Sequence, residues 1–136
     1  MSRPTIPADA VSDLVPFVHV TDVDRSIAFY ARLGFEMHHD LVEGRRIWAF
    51  LERGDARLMV AEADGAFDPH AQGIIFYLYT RDLDTLRARL LDAGVAAPEI
   101  TTGGPGPDRQ LELTDPDGYV LMVAEIEGER VGVLPD

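Results

Sequence analysis

Histidine side chains are the groups with which this sequence could most readily perform acid–base or metal chemistry. The chain contains four, His19, His38, His39 and His70. His38 and His39 are adjacent on a predicted strand, where neighbouring side chains point to opposite faces and cannot hold one ion together. His70 lies in a predicted linker, and a lone histidine such as His19 is more typical of a hydrogen-bonded wall than of a catalyst. The histidines therefore predict no catalytic or metal centre.

The residue types that are missing exclude several other chemistries. The chain has no Cys, which excludes thiolate nucleophiles, disulfides and zinc ribbons, and no Lys, which excludes Schiff bases and a P-loop lysine. The net charge of -12 disfavours nucleic acids and anionic membranes and would attract a cationic ligand only mildly. Residues 1–13 do not resemble a signal peptide, and no apolar run is long enough to span a membrane, so we expect a cytoplasmic protein.

An internal repeat organises the elements that must position these side chains. The pentapeptide Leu-Met-Val-Ala-Glu occurs at Leu58–Glu62 and again at Leu121–Glu125. At nearly the same spacing, Asp22-Val23-Asp24 parallels Asp82-Leu83-Asp84. Two independent matches at one spacing predict a duplicated module.

Each copy has the pattern of a strand, a helix and three further strands, which predicts an α+β fold of two tandem βαβββ modules. In the first module, Asp22 should cap a helix that Gly34 ends. The expected elements are a strand at Leu14–Val20, the helix around Ser26–Leu33, and strands at Phe35–Leu41, Arg46–Glu52 and Ala56–Ala63. In the second module, Asp82 and Gly94 should bound the helix.

The second module's expected strands are Ile74–Thr80, Val95–Ile100, Arg109–Thr114 and Tyr119–Ile126, with a Gly/Pro loop at Thr102–Pro107 and a turn at Asp115–Gly118. The organisation predicted for the chain is one structural domain in five segments. These are an N-terminal arm (1–13), the first module (14–63), a linker (64–72), the second module (73–126) and a C-terminal tail (127–136).

Two motifs connect this pattern to a known family. They are Val20-x-Asp22-x-x-x-Ser26-x-x-Phe29-Tyr30-x-x-Leu33-Gly34-Phe35 and Asp115-Pro116-Asp117-Gly118-Tyr119. With the doubled βαβββ pattern, they resemble the vicinal oxygen chelate superfamily of glyoxalases, bleomycin-resistance proteins and dioxygenases. The resemblance covers about residues 14–126. It implies a curved mixed sheet with the helices on the outer face and the ligand on the concave face.

Enzymes of this superfamily hold a divalent metal through side chains of the first and last strands of each module. Counting from the motifs places these positions at Val15, Met59, Ile75 and Met122. Val and Ile cannot coordinate a metal, and a Met thioether suits soft ions rather than Mg, Mn, Fe or Zn. The sequence therefore predicts the fold without its usual metal centre and without a cofactor.

The resemblance also implies which side chains line the concave face. The expected ligand-binding residues are Phe17, His19, Trp48, Phe50, Met59, Tyr77, Tyr79 and Met122. An aromatic and apolar lining with a few polar points is typical of small-molecule pockets, although an ordinary core has the same composition. Trp48 could stack on a flat ring and attract a cation, or it could be a half-buried strand residue.

The segments Phe29–Phe35 and Trp48–Asp55 are most similar to bleomycin-resistance proteins. That likeness implies an antibiotic-resistance role as a metal-free homodimer, which sequesters a planar, cationic small molecule and performs no catalysis. One alternative is a glyoxalase- or dioxygenase-like metalloenzyme with a rearranged site around His19, Tyr77, Tyr79 or His70. Another is a regulatory or structural dimer that binds no ligand.

Overall fold

The computed structural model describes residues 10–11, 13–102 and 109–126 of the chain. The predicted tail at 127–136, most of the predicted arm at 1–13 and most of the loop Thr102–Pro107 lie outside these ranges. The described residues form two consecutive βαβββ modules, which confirms the predicted α+β architecture.

Five elements make up the first module. They are β1 (Phe17–Val20), α1 (Val23–Ala31), β2 (Glu36–Glu43), β3 (Arg45–Arg53) and β4 (Ala56–Glu62). The strands form a mixed sheet in the order β1-β4-β3-β2, in which β1 runs parallel to β4 and the other neighbours are antiparallel.

The second module repeats this arrangement. Its elements are β5 (Ile75–Thr80), α2 (Leu83–Asp92), β6 (Thr101–Thr102), β7 (Arg109–Thr114) and β8 (Val120–Glu125). The strand order is β5-β8-β7-β6, again with the first strand parallel to the last. In the described ranges, no strand pairing joins the two sheets, so the curved sheet expected from the sequence consists of two separate four-stranded ladders.

The predicted caps start both helices. The carboxylate of Asp22 accepts a hydrogen bond from the Arg25 amide at 3.2 Å, and that of Asp82 accepts one from the Thr85 amide at 3.1 Å. Each bond satisfies a first-turn N–H that has no partner within the helix. Gly34 has a φ of +92° after α1, a backbone conformation that other residues rarely adopt.

One face of each sheet packs on its own helix and forms the core. Strand residues that alternate along the repeat are fully buried there, for example Val60 in β4 and Leu121 and Val123 in β8. Full burial of such a side chain contributes about 1.5–3 kcal/mol, so these rows hold each helix on its sheet. The core is continuous across both modules.

Two strand predictions are wrong, one in its start and one in its existence. The first strand begins at Phe17 rather than Leu14, so Val15 precedes the sheet. The segment Val95–Ile100 is not a strand. Its Val95 and Ala97 side chains are buried, but Pro98 has no N–H for a sheet ladder, and pairing is limited to the short β6.

A bulge in β2 changes the orientation expected for the two adjacent histidines. The pairing with β3 shifts register between Met37 and His39. His38 Nε2 lies 3.9 Å from a Glu52 carboxylate oxygen, and the His39 ring lies 6.0 Å from the ring of Phe50. Glu52 and Phe50 are two residues apart on β3 and share one face. The prediction that these histidines point to opposite faces is therefore wrong.

A turn in the second module connects it to the first. Asp115 is buried, and its Oδ1 accepts hydrogen bonds from the amides of Asp117, Gly118 and Tyr119 at 2.9–3.0 Å. Its Oδ2 accepts the Tyr30 hydroxyl of α1 at 2.8 Å. We call this segment, residues 115–119, the clasp turn.

Two further contacts fix the clasp turn to β1 and the residue after it. The amide and hydroxyl of Thr21 donate to Asp117 Oδ1, and the Tyr119 hydroxyl donates to the His19 carbonyl at 2.7 Å. Burial raises the pKa of Tyr30, and the neighbouring Asp115 charge raises it further. Burial also raises the pKa of Asp115, although its hydrogen bonds, first that from Tyr30, act in the opposite direction.

Candidate functional site

Each sheet has a second face, turned away from its helix, which we call the open face. In the first sheet, strand register places Met59 between Phe17 and Phe50 in one row of side chains. The next row places Ala61 between His19 and Trp48. Ala61 is the smallest side chain of this row. We call Phe17, His19, Trp48, Phe50 and Met59 the first aromatic patch.

The repeat builds the same arrangement in the second sheet. Met122 lies between Tyr77 and Glu112, and Ala124 lies between Tyr79 and Gln110. We call Tyr77, Tyr79, Met122, Gln110 and Glu112 the second aromatic patch. The duplicated Leu-Met-Val-Ala-Glu segment therefore places a Met and an Ala at matching positions in both open faces.

Ring contacts order the aromatic side chains within each patch. Phe17 and His19 make an edge-to-face contact with ring centroids 5.6 Å apart. Tyr77 and Tyr79 are stacked, with centroids 6.2 Å apart and ring planes inclined by 29°. These spacings fall in the range of favourable aromatic pairs.

The patches are accessible in the single chain. Phe17 is 53% exposed and Tyr77 39% exposed, and the neighbouring Ile75 on β5 is 55% exposed. Trp48 is half-buried. Clustered exposed apolar side chains of this kind usually mark a surface that binds a ligand or another protein.

The structure brings the predicted residues together as two sets rather than one. Phe17, His19, Trp48, Phe50 and Met59 lie on the first open face, and Tyr77, Tyr79 and Met122 lie on the second. Among the residues described, no hydrogen bond or ring contact joins the two patches. Each patch is therefore one wall of a possible site.

Two polar residues of the second patch were missed in the sequence. Gln110 is 7% exposed, and its side-chain oxygen has no hydrogen-bond partner in the described part of the chain. Glu112 is exposed. The signal was the alternation of β7. Because Leu111 and Leu113 face the core, the alternate residues Gln110 and Glu112 must face the opposite side of the sheet.

The four positions expected to hold a metal do not fit one. Met59 neighbours Phe17 and Phe50, Met122 neighbours Tyr77, and Ile75 lies beside Val120. None of the four side chains, Val15 included, supplies an oxygen or nitrogen ligand for a hard or borderline divalent ion.

One acidic cluster occurs elsewhere in the described chain, formed by Asp82, Asp84 and Glu125. Its oxygens already have partners. Arg109 bonds to Asp84 and Glu125, and Glu125 also accepts the Leu83 amide at 2.9 Å. The Glu125 carboxylate therefore holds the start of α2 against β8.

Its counterpart in the first module, Glu62, pairs with Arg45. The hydrogen bond from Arg45 lowers the pKa of Glu62. Ser26 lies on α1 as predicted, where it is fully buried. His70 lies in a short 3-10 helix, Pro69–Gln72, against Gly118 of the clasp turn.

Comparison with known proteins gives a consistent result. The Glyoxalase/Bleomycin resistance protein/Dioxygenase superfamily model matches residues 14–123. The chain is similar to the structure of a bleomycin-binding protein complexed with bleomycin, with 26% identity, a TM-score of 0.63 and coverage of 86% of this chain and 100% of that one. No curated protein matches the sequence.

Two other solved structures show how widely the fold is used. TnmS3, an antibiotic binding protein from Streptomyces sp. CB03234, is 26% identical, with a TM-score of 0.67 and coverage of 87% of this chain and 98% of that one. A lactoylglutathione lyase from Agrobacterium tumefaciens is 21% identical, with a TM-score of 0.64 and coverage of 85% and 94%, which shows a shared fold alone. Neither helix described in this chain is long and apolar enough to cross a membrane.

Proposed function

The chain belongs to the Glyoxalase/Bleomycin resistance protein/Dioxygenase superfamily, and from this premise we propose that it is a metal-free protein that binds a planar, cationic small molecule. The observation that carries the proposal is the composition of the two open faces. They carry Met59, Ile75 and Met122 where the enzymes of the superfamily hold metal ligands, and aromatic rings flank both methionines. Ring stacking and apolar contact are what such a surface offers a ligand.

Glu112 supports the cationic character of this ligand. Its exposed carboxylate lies across Met122 from Tyr77, on the same open face. A cation held between a carboxylate and aromatic rings gains from both the charge and the ring quadrupole. The net charge of -12 adds a weak long-range attraction of the same sign.

We propose a homodimer, in which the first aromatic patch of one chain faces the second patch of its partner. Each patch is exposed in the single chain, and β1 and β5 are the outermost strands of their sheets among the residues that the structure describes. Pairing would cover the apolar side chains of both edges, which would otherwise promote aggregation. It would also complete two equivalent sites in the dimer.

Trp48 gives a direct test, because it is the single tryptophan of the chain. We expect bleomycin to quench its fluorescence saturably as a flat ring enters the first patch. Tyr77→Ala should weaken binding by up to roughly tenfold, because it removes one aromatic partner. Glu112→Gln should weaken binding and reduce its dependence on salt.

Leu91→Ala is the matched control, because Leu91 is an exposed apolar residue of α2 outside both patches. It should leave the titration unchanged. No quench at high bleomycin concentration would remove the drug-binding form of the proposal. Stoichiometric divalent metal in the purified protein would refute the metal-free form and favour the enzymatic alternative.

A further inference from the structure

A groove of about 730 Å³ lies between the two modules; it excludes the first aromatic patch and shares Tyr77 and Tyr79 with the second. One wall is the end of α1 with the turn between β3 and β4, and the other is β5 with α2 as far as Arg89. The strand contributes Tyr77 to Thr80, so the free edge of β5 borders the groove.

The charges in this groove differ in sign from those of the whole chain. Its charged lining residues are Arg32, Arg53, Arg89 and Asp82. Both Asp82 oxygens already accept hydrogen bonds from Thr85, at 3.1 Å from the amide and 2.7 Å from the hydroxyl. A chain with a net charge of -12 thus has a local excess of positive charge here.

These three arginines also differ from the other arginines in their contacts. In the part of the chain that the structure describes, no ion pair or hydrogen bond engages the guanidinium groups of Arg32, Arg53 and Arg89. The other described arginines all have partners: Arg25, Arg45, Arg46, Arg57 and Arg109 pair with carboxylates, Arg87 donates to a backbone carbonyl, and Arg81 also has a partner. Among the described residues, three guanidinium groups without a hydrogen bond or ion pair therefore lie in one groove of an acidic chain.

Two of these side chains have close neighbours at the groove. A Cβ at Gly34 would lie 3.1 Å from Arg53 Nε, so the Arg53 side chain lies directly over the end of α1. Arg89 lies close enough to Asp82 to act on it. The Thr85 hydrogen bonds lower the pKa of Asp82, and the charges of Arg109 and Arg89 contribute.

The remaining lining describes the other part of a ligand. Apolar side chains from both modules contribute to the groove, among them Leu33, Phe35, Leu86 and Val123. We propose that this groove binds a small organic anion, with its anionic group on Arg32, Arg53 and Arg89 and its apolar body between the modules. Guanidinium groups are the side chains best suited to carboxylate and phosphate groups.

The test compares two probes of the same shape by isothermal titration of the full chain. 2-Naphthoate carries the anion, and 2-naphthamide is its neutral counterpart. We expect naphthoate to bind at least roughly tenfold more tightly, and raising the salt from about 20 to 200 mM should weaken naphthoate alone. Equal affinity of the two probes would overturn the proposal without any substitution.

A triple variant, Arg32→Gln with Arg53→Gln and Arg89→Gln, locates the site. It should weaken naphthoate binding by roughly tenfold or more and leave naphthamide unchanged. Arg87→Gln is the matched control, because it removes one charge from the same helix outside the groove, and it should change affinity less than about twofold.

Two results of the variant experiment would overturn the proposal. One is unchanged naphthoate affinity in the triple variant. The other is a change of oligomeric state in place of a change in affinity, which would make the groove a contact between subunits. The groove shares Tyr77 and Tyr79 with the second aromatic patch, but Trp48 does not line it. The Trp48 titration with bleomycin therefore reports on the first aromatic patch, and its outcome is read separately from the naphthoate titration.

Discussion

Replacing Tyr30 with Phe removes a single oxygen from the contact between the modules. The Tyr30 hydroxyl is 2.8 Å from Asp115 Oδ2, and the two residues are 2% and 4% exposed. The ring of Phe would keep the packing against Phe29 and Phe35. The variant therefore loses only the stability that this hydrogen bond provides. The Asp115 carboxylate remains buried, and its Oδ2 is left without the Tyr30 donor. We expect a loss of about 1.5–3 kcal/mol in the free energy of unfolding.

Urea denaturation at neutral pH measures this loss. The midpoint should fall and the slope of the transition should stay constant, because the surface exposed on unfolding does not change. Tyr79→Phe is the control, since it removes a hydroxyl from the half-exposed open face. Its effect should stay within about 0.5 kcal/mol.

A loss below about 0.5 kcal/mol in Tyr30→Phe would refute the reasoning. It would mean that water reaches Asp115 readily, and that the clasp turn does not depend on α1. A changed slope would instead indicate that the two modules unfold in separate steps.

Three further predictions concern the clasp turn, the turns and the core. Burial raises the pKa of Asp115 above its ordinary value of 3.8, so ionisation of this side chain opposes folding. The contribution of Asp115 to the free energy of unfolding is therefore greatest below pH 3.8. It is lost as the pH rises through the pKa of the folded state. Asp115→Asn should therefore gain stability relative to the parent as the pH is raised from about 4 to 7 in urea titrations. Gly118→Ala should lower the stability measured by thermal unfolding more than Gly44→Ala does. Both glycines have a positive φ, but only at Gly118 would the new Cβ approach His70, at 3.2 Å. Equal losses of stability in the two variants would contradict this expectation. Leu121→Ala should lower the free energy of unfolding by about 2–5 kcal/mol, since the side chain is fully buried. A loss under about 1 kcal/mol would show that the core collapses around the smaller side chain.

The features that could be predicted from the sequence, such as the helix caps and the strand faces, depend on residues only a few positions apart. Asp22 and Asp82 cap their helices because a cap needs only an acceptor placed before a helical pattern. The repeated pentapeptide predicted equivalent strands, and strand alternation then placed Met59 and Met122 on matching faces.

Features that depend on irregular backbone or distant residues were not predictable. The bulge in β2 inserts an extra residue that reverses the expected alternation around His38 and His39. Asp115 and Tyr30 are far apart in the chain, and nothing local to either residue indicates its partner. The unpaired state of Arg32 likewise emerges only when the ion pairs of the other arginines are known.

The clasp turn bears on whether the chain needs to be continuous. Hydrogen bonds from Thr21, Tyr30 and Tyr119 cross between the modules at this turn, and none of them requires the linker that joins residues 63 and 73. The exposed segment Asp64–Ala66 is a suitable place to divide the gene. Two polypeptides expressed from the separated halves would still meet through the same buried carboxylate and the same shared core, so the two modules form a natural pair for fragment complementation.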